Sequence, residues 1–89
     1  MRNLEQGEEV MLTGPAAASA HNDGFNPYYG LVVKDHGWNV VDADRQELDI
    51  WDVTVLWEDG KERTHPRDTL MAWVDVPGGL RGETKGESR

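Results

Sequence analysis

Apolar and polar positions alternate most regularly over residues 50–60, IWDVTVLWEDG. Trp51, Val53, Val55 and Trp57 fall on one side of an extended chain; Asp52, Thr54 and Glu58 fall on the other, with Ile50 and Leu56 as apolar exceptions. Successive side chains of a strand point to opposite faces, so this period predicts a strand half buried against a core. Asp59-Gly60 follows and predicts a type I′ hairpin turn, because that dipeptide readily takes positive φ. KERTH is then the returning strand. Pro66 stops it, having no N–H for a ladder, and PRDTL fits a single 3₁₀ turn that tucks Leu70 inward. MAWVDV reads as a last short strand.

The earlier chain carries weaker patterns. In EEVMLTG, Val10 and Leu12 alternate with Glu9, Met11 and Thr13, and Gly14-Pro15 ends the strand. PAAASAHNDGFNP holds an alanine run, but Pro15, Gly24 and Pro27 bracket a short span, so a long loop with at most one helical turn is expected. YYGLVVKD, rich in aromatic and β-branched residues, predicts a strand in which Gly30 marks a bulge or a close backbone approach. HGWNVVDADRQEL either extends that strand into a hairpin or makes a long excursion; Val40 and Val41 among polar neighbours fit both. From Pro77 the text is PGGLRGETKGESR, which has almost nothing to bury and reads as a flexible tail.

An 89-residue chain with a hydrophobic fraction of 37% has room for one small domain and a compact core. Five short strands in so small a unit curl most readily into a barrel, which also hides their edges. The expected organisation is all-β: an N-terminal arm over 1–6, a five-stranded barrel over 7–75 with a long first loop and a 3₁₀ turn before the last strand, and a flexible tail over 76–89. Four tryptophans supply much of the apolar mass. Cysteine is absent, which removes disulfides and thiolate chemistry and suits a reducing compartment. The opening MRNLEQGEEV has no apolar signal-peptide run, and no stretch has the length to cross a bilayer. No membrane association is expected, and the expected location is the cytoplasm.

GEEVMLTG, YYGLVV, VTVLWEDGKE and THPRDTLMAWV, taken in that order, resemble the strands and closing turn of the SH3-like barrel superfamily, particularly its Tudor-like and KOW-like members. THPRDTL, with His65 and Leu70, is also similar to a segment of small phage-encoded proteins of unknown function, which implies a virion as an alternative location. The Ala-Leu-Tyr-Asp-Tyr opening of signalling SH3 domains is missing, which argues against proline-peptide recognition. KOW-type nucleic-acid binders are basic, whereas this chain has a net charge of -8. Phosphate backbones repel such a surface, so nucleic acid is not the expected partner.

Four aromatic residues fall in or beside the long connections: Phe25, Tyr28, Tyr29 and Trp38. The resemblance to Tudor-like domains implies that they form a shallow pocket for a methylated lysine or arginine, held by cation–π attraction. The alternative is that they pin the loops to the barrel wall. Asp42, Asp44, Glu47 and Asp49 begin at EF-hand spacing, but Gln46, Glu47 and Val53 stand where a ligand, a glycine and a bidentate Glu belong, so no metal site is expected. His21, His36 and His65 lack metal-binding spacing. No nucleophile elbow, phosphate loop or zinc-helix motif occurs, and Ser19 and Ser88 lie where no base is held beside them. Neither catalysis nor a cofactor is expected. These readings converge on a non-enzymatic protein- or peptide-binding module with an acidic surface and a basic partner. The alternatives are a small structural or accessory subunit of a phage particle or other assembly, and a nucleic-acid mimic built on the acid-rich stretch 42–59. Oligomeric state is open at this level.

Overall fold

The computed structural model describes residues 1–76. Within them the chain forms β1 (Glu9–Leu12), α1 (Gly14–Asn22), β2 (Gly30–Ala43), β3 (Gln46–Trp57), β4 (Glu62–Pro66), a 3₁₀ turn (Arg67–Thr69), β5 (Leu70–Ala72) and a second 3₁₀ turn (Trp73–Asp75). The strands make one antiparallel sheet in the order β4-β3-β2-β1-β5. The molecule is therefore all-β apart from one short helix.

The strong alternation of β3 behaves as its period requires. Val53 and Val55 have no exposed surface and Trp57 has 2%. They pack with Val10, Leu12, Val32, Leu70 and Ala72 in one apolar cluster. Gly30 belongs to this core through what it lacks: a Cβ there would lie 2.6 Å from Val55 Cγ1 and 2.7 Å from the Trp57 ring. Of the two roles open to Gly30, the close approach is the one it plays. The bulges of β2 fall instead between Val32 and Lys34 and between Asp35 and Trp38.

Three local expectations need correction. The segment after β1 is not a loop with one turn at most but a nine-residue helix. Pro15 stands in the first turn of that helix, where its missing N–H costs nothing and its fixed φ suits the start. Gly24, at φ +87°, closes the other end: its N–H donates to the carbonyl of His21 and that of Phe25 to Ala20, a Schellman motif. The residues taken as breakers are the start and stop signals of the helix. Ala17 and Ala20, one turn apart, face the core.

The turn at Asp59-Gly60 is likewise not type I′. Only Gly60 has positive φ; Gly60 N–H donates to Trp57 O and Trp57 N–H to Lys61 O, which is a type I turn with a glycine bulge. The last strand stops at Ala72, where its pairing with the short β1 ends at Val10, and Trp73–Asp75 turns away. The 3₁₀ turn before β5 and the burial of Leu70, at 5% exposed, are as expected.

Residues 1–6 lie against the sheet. Leu4 is buried, its N–H donates to Asp35 Oδ2 at 2.8 Å, and Arg67 Nε reaches the carbonyl of Arg2. The expected tail over 76–89 lies outside the described residues except for Val76, which is buried.

Candidate protein-docking ribbon and cleft

The stretch HGWNVVDADRQEL forms the hairpin, not the excursion. β2 and β3 pair continuously from Trp38–Trp51 to Ala43–Gln46, and Asp44 (φ 51°) and Arg45 (φ 66°) close them in a two-residue turn of type I′ form. β1 reaches β2 only at Gly30 and Leu31, and β4 reaches β3 only as far as Asp52. Beyond those points the two strands run on as a ribbon with no further strand neighbour among the described residues.

Register assigns the ribbon's side chains to two faces. Trp38, Val40, Asp42, Glu47, Asp49 and Trp51 share the face that continues the core; Asn39, Val41, Ala43, Gln46, Leu48 and Ile50 share the other. Both faces are apolar in part and both are wet. Trp38 is 65% exposed and Val40 58%, while Val41 and Leu48 are exposed on the reverse side. A two-stranded ribbon in water has little to hold it unless something covers such residues.

At the ribbon's base lies a cleft of about 280 Å³, bordered by Trp38, Asp49, Trp51, Pro66, Arg67 and Asp68, with Ile50 and the N-terminal Met1 also on its rim. It exists because β4 ends at Pro66 and the chain turns aside, leaving the neighbouring length of β3 open. Its floor is built rigidly. Trp51 Nε1 donates to Asp35 Oδ1 at 2.7 Å. The Arg67 guanidinium lies 5.8 Å from the Trp51 ring centre, is 5% exposed as a residue, and donates to the carbonyls of Arg2 and Leu70, each at 3.0 Å. Burial opposes the charge on Asp35, but N–H groups of Leu4, Gly37 and Trp51 and the nearby Arg67 outweigh it, and the carboxyl titrates below its ordinary value. Trp38, by contrast, makes a long 3.4 Å contact from its Nε1 to Asp49 Oδ1 as its one side-chain hydrogen bond among the described residues.

The four aromatic residues singled out in the sequence do not converge. Phe25 is buried at 7%, its ring 5.3 Å from that of Trp57 and its face covered by the Arg63 guanidinium at 3.8 Å. It pins the end of α1 to the core. Tyr28 is exposed beside His21, and Tyr29 donates to Glu9 Oε2 at 2.8 Å. Trp38 stands well along β2 from these, on the ribbon. Its aromatic neighbour across the strands is Trp51, which the sequence assigns to the core face and the fold leaves half exposed at the core's margin.

The acidic side chains of the ribbon are all exposed, and no group of three or more His, Asp or Glu side chains among the described residues could hold a metal ion. Asp42 pairs in register with Glu47, and Asp49 with Val40. His21 and His36 hydrogen bond to hydroxyls, those of Tyr28 and Thr54. His65 Nε2 accepts from Trp57 Nε1 at 3.0 Å; burial, and then the charge of Arg63, lower its pKa and keep the ring neutral. The grouping of Asp49, Arg67 and Asp68 around Trp38 and Trp51 is not legible in the sequence, because only the end of β4 at Pro66 brings them together. No helix of the described residues is long and apolar enough to cross a membrane. Comparison with models of known protein families, with characterised proteins and with solved structures finds no match.

Proposed function

We propose that the chain is a small SH3-like barrel serving as a non-enzymatic protein-binding module, and that its β2–β3 ribbon is the arm that docks on a basic partner. The antiparallel order β4-β3-β2-β1-β5, with a 3₁₀ turn leading into β5, supports the barrel reading. One observation carries the functional reading: Trp38 and Val40 on one face, and Val41 and Leu48 on the other, are exposed on a ribbon of which only Trp51, at its base, packs against the core. Large exposed apolar residues grouped on one element mark an interaction surface rather than a scaffold. The acids Asp42, Asp44, Glu47 and Asp49, against the single base Arg45, select the sign of the partner's charge and steer its approach.

The test is capture of partners from an extract of the source cells, comparing the native chain with a Trp38→Ser/Val40→Thr double variant. The expected result is a basic protein retained at low salt by the native chain and lost by the variant, with both chains equally folded by circular dichroism. A partner held equally by both chains, or one without a basic surface, removes the reading. If the retained partner is a component of a particle, the chain is an accessory subunit of that assembly and the same ribbon is its point of attachment.

A further inference from the structure

β3 differs from β2 in how its outer edge is finished. The bulges of this hairpin lie on β2 below the ribbon, between Val32 and Lys34 and between Asp35 and Trp38, where they bend the strand and break the line between the length that β1 covers and the ribbon edge beyond it. β3 is unbroken from Gln46 to Trp57. Its main-chain groups alternate in direction, and the bonds around the β3–β4 turn fix the phase: Trp57 N–H donates to Lys61 O and Trp57 O accepts from Gly60 N–H, so both point to the side of β4. Counting back by alternation, Val55 and Val53 also face β4, and Trp51, Asp49 and Glu47 face the edge beyond Pro66, where β4 has ended. Pro66 itself stands opposite Asp52, a position whose main-chain groups point the other way, so the proline costs the ladder nothing. The edge at Glu47, Asp49 and Trp51 is thus a straight continuation of an existing ladder, and it opens onto the cleft.

We infer that this edge takes an extended segment of the partner as a sixth strand, in the lane that β4 vacates, with Lys or Arg at alternate positions of that segment. The inference rests on the reading of the ribbon as a docking arm for a basic partner and names the recognition mode. Side chains decide the chemistry. Residues of an added strand facing Glu47 and Asp49 lie beside two carboxylates, with Asp68 across the cleft, and opposite charges across strands are favourable. The intervening residues fall on the reverse face beside Leu48 and Ile50 and are apolar. The cleft's volume, about 280 Å³, is at the lower end for a ligand pocket and matches a side chain of a bound strand rather than a free-standing small molecule. A second copy of this chain would set Glu47 and Asp49 against the same acids, and like charges directly opposite are unfavourable. Charge therefore selects a basic segment over self-pairing.

The experiment uses the whole chain and a synthetic peptide of alternating lysine and valine long enough to span Gln46–Trp51, with an alternating glutamate–valine peptide as the control. Amide exchange is followed by NMR. The lysine peptide should slow exchange at Glu47, Asp49 and Trp51 by at least about tenfold while the control changes nothing. N-methylation of its edge-facing amides should abolish the effect. Four outcomes overturn the inference. The lysine peptide fails to bind, or it binds without slowing these amides, or light scattering shows the slowing to come from self-association. In the last, the amides are already protected in the free chain and lose protection when residues 77–89 are removed. In each case the docking role of the ribbon stands or falls separately, by whether a basic partner is captured through Trp38 and Val40.

Discussion

Asp35 accepts N–H groups from three separate places: Leu4 of the N-terminal arm, Gly37 of the β2 bulge and the Trp51 ring. Each donor would otherwise lack a protein partner near the cleft, so the carboxylate joins the arm, the bulge and the cleft floor. Replacing it with alanine should cost about 2 kcal/mol, since hydrogen bonds to a charged group are each worth more than neutral ones but this group is partly exposed. Urea denaturation measures it; a loss below about 0.5 kcal/mol would mean that water replaces the carboxylate freely. The pH dependence has a definite sign. The native pKa lies below the ordinary 3.8, so the contribution is complete above that value and is lost as pH falls through the native pKa. Asp35→Asn should flatten this acid limb of the stability profile, a response that a purely steric role would not give.

Among the elements, the ribbon turn is the one most open to improvement. Asp44 and Arg45 both adopt positive φ, and Arg45 is a poor residue for it. Asp44→Asn with Arg45→Gly supplies the dipeptide that a type I′ turn favours and should stabilise the chain by about 1 kcal/mol, read as a rise in melting temperature. No rise would mean that the ribbon opens independently of the core. The same element explains what the sequence could and could not reveal. β3 was legible because four apolar residues at alternate positions share one face, three of them, Val53, Val55 and Trp57, buried. The ribbon was not, because its two valines are adjacent, so one lies on each face, and Asp-Arg announces no turn. α1 was hidden for a different reason. Pro15 and Gly24 are read as breakers when seen singly and as boundaries when seen as a pair, nine residues apart. Of the candidate site, Trp38 was visible as a loop aromatic, but its convergence with Asp49, Trp51 and Asp68 depends on where β4 ends.

At the scale of the molecule, the core and the ribbon are separable. None of residues 38–50 belongs to the buried cluster, which draws instead on the strands around Trp57, on α1 and on Leu4. Replacing residues 40–49 by Asn-Gly joins Asn39 to Ile50 through a turn of the same kind. The shortened chain should remain folded by circular dichroism, with its melting temperature within about 5 °C of the native value, and should lose the partner. Collapse of the fold would show that the ribbon belongs to the cooperative unit. Trp57 supplies the contrast, because its truncation to alanine removes a ring buried at 2% from the centre of that unit.

The Asp44–Arg45 turn closes on the narrow, doubly bonded kind of strand pair, and such pairs recur only at every second rung. Evolution can therefore lengthen or trim this arm only by whole pleats, one full alternation from each strand. Any other change would force a different turn or turn Trp38's side of the ribbon to the back. Kindred chains should then differ in reach by discrete increments while the footprint they present keeps its orientation.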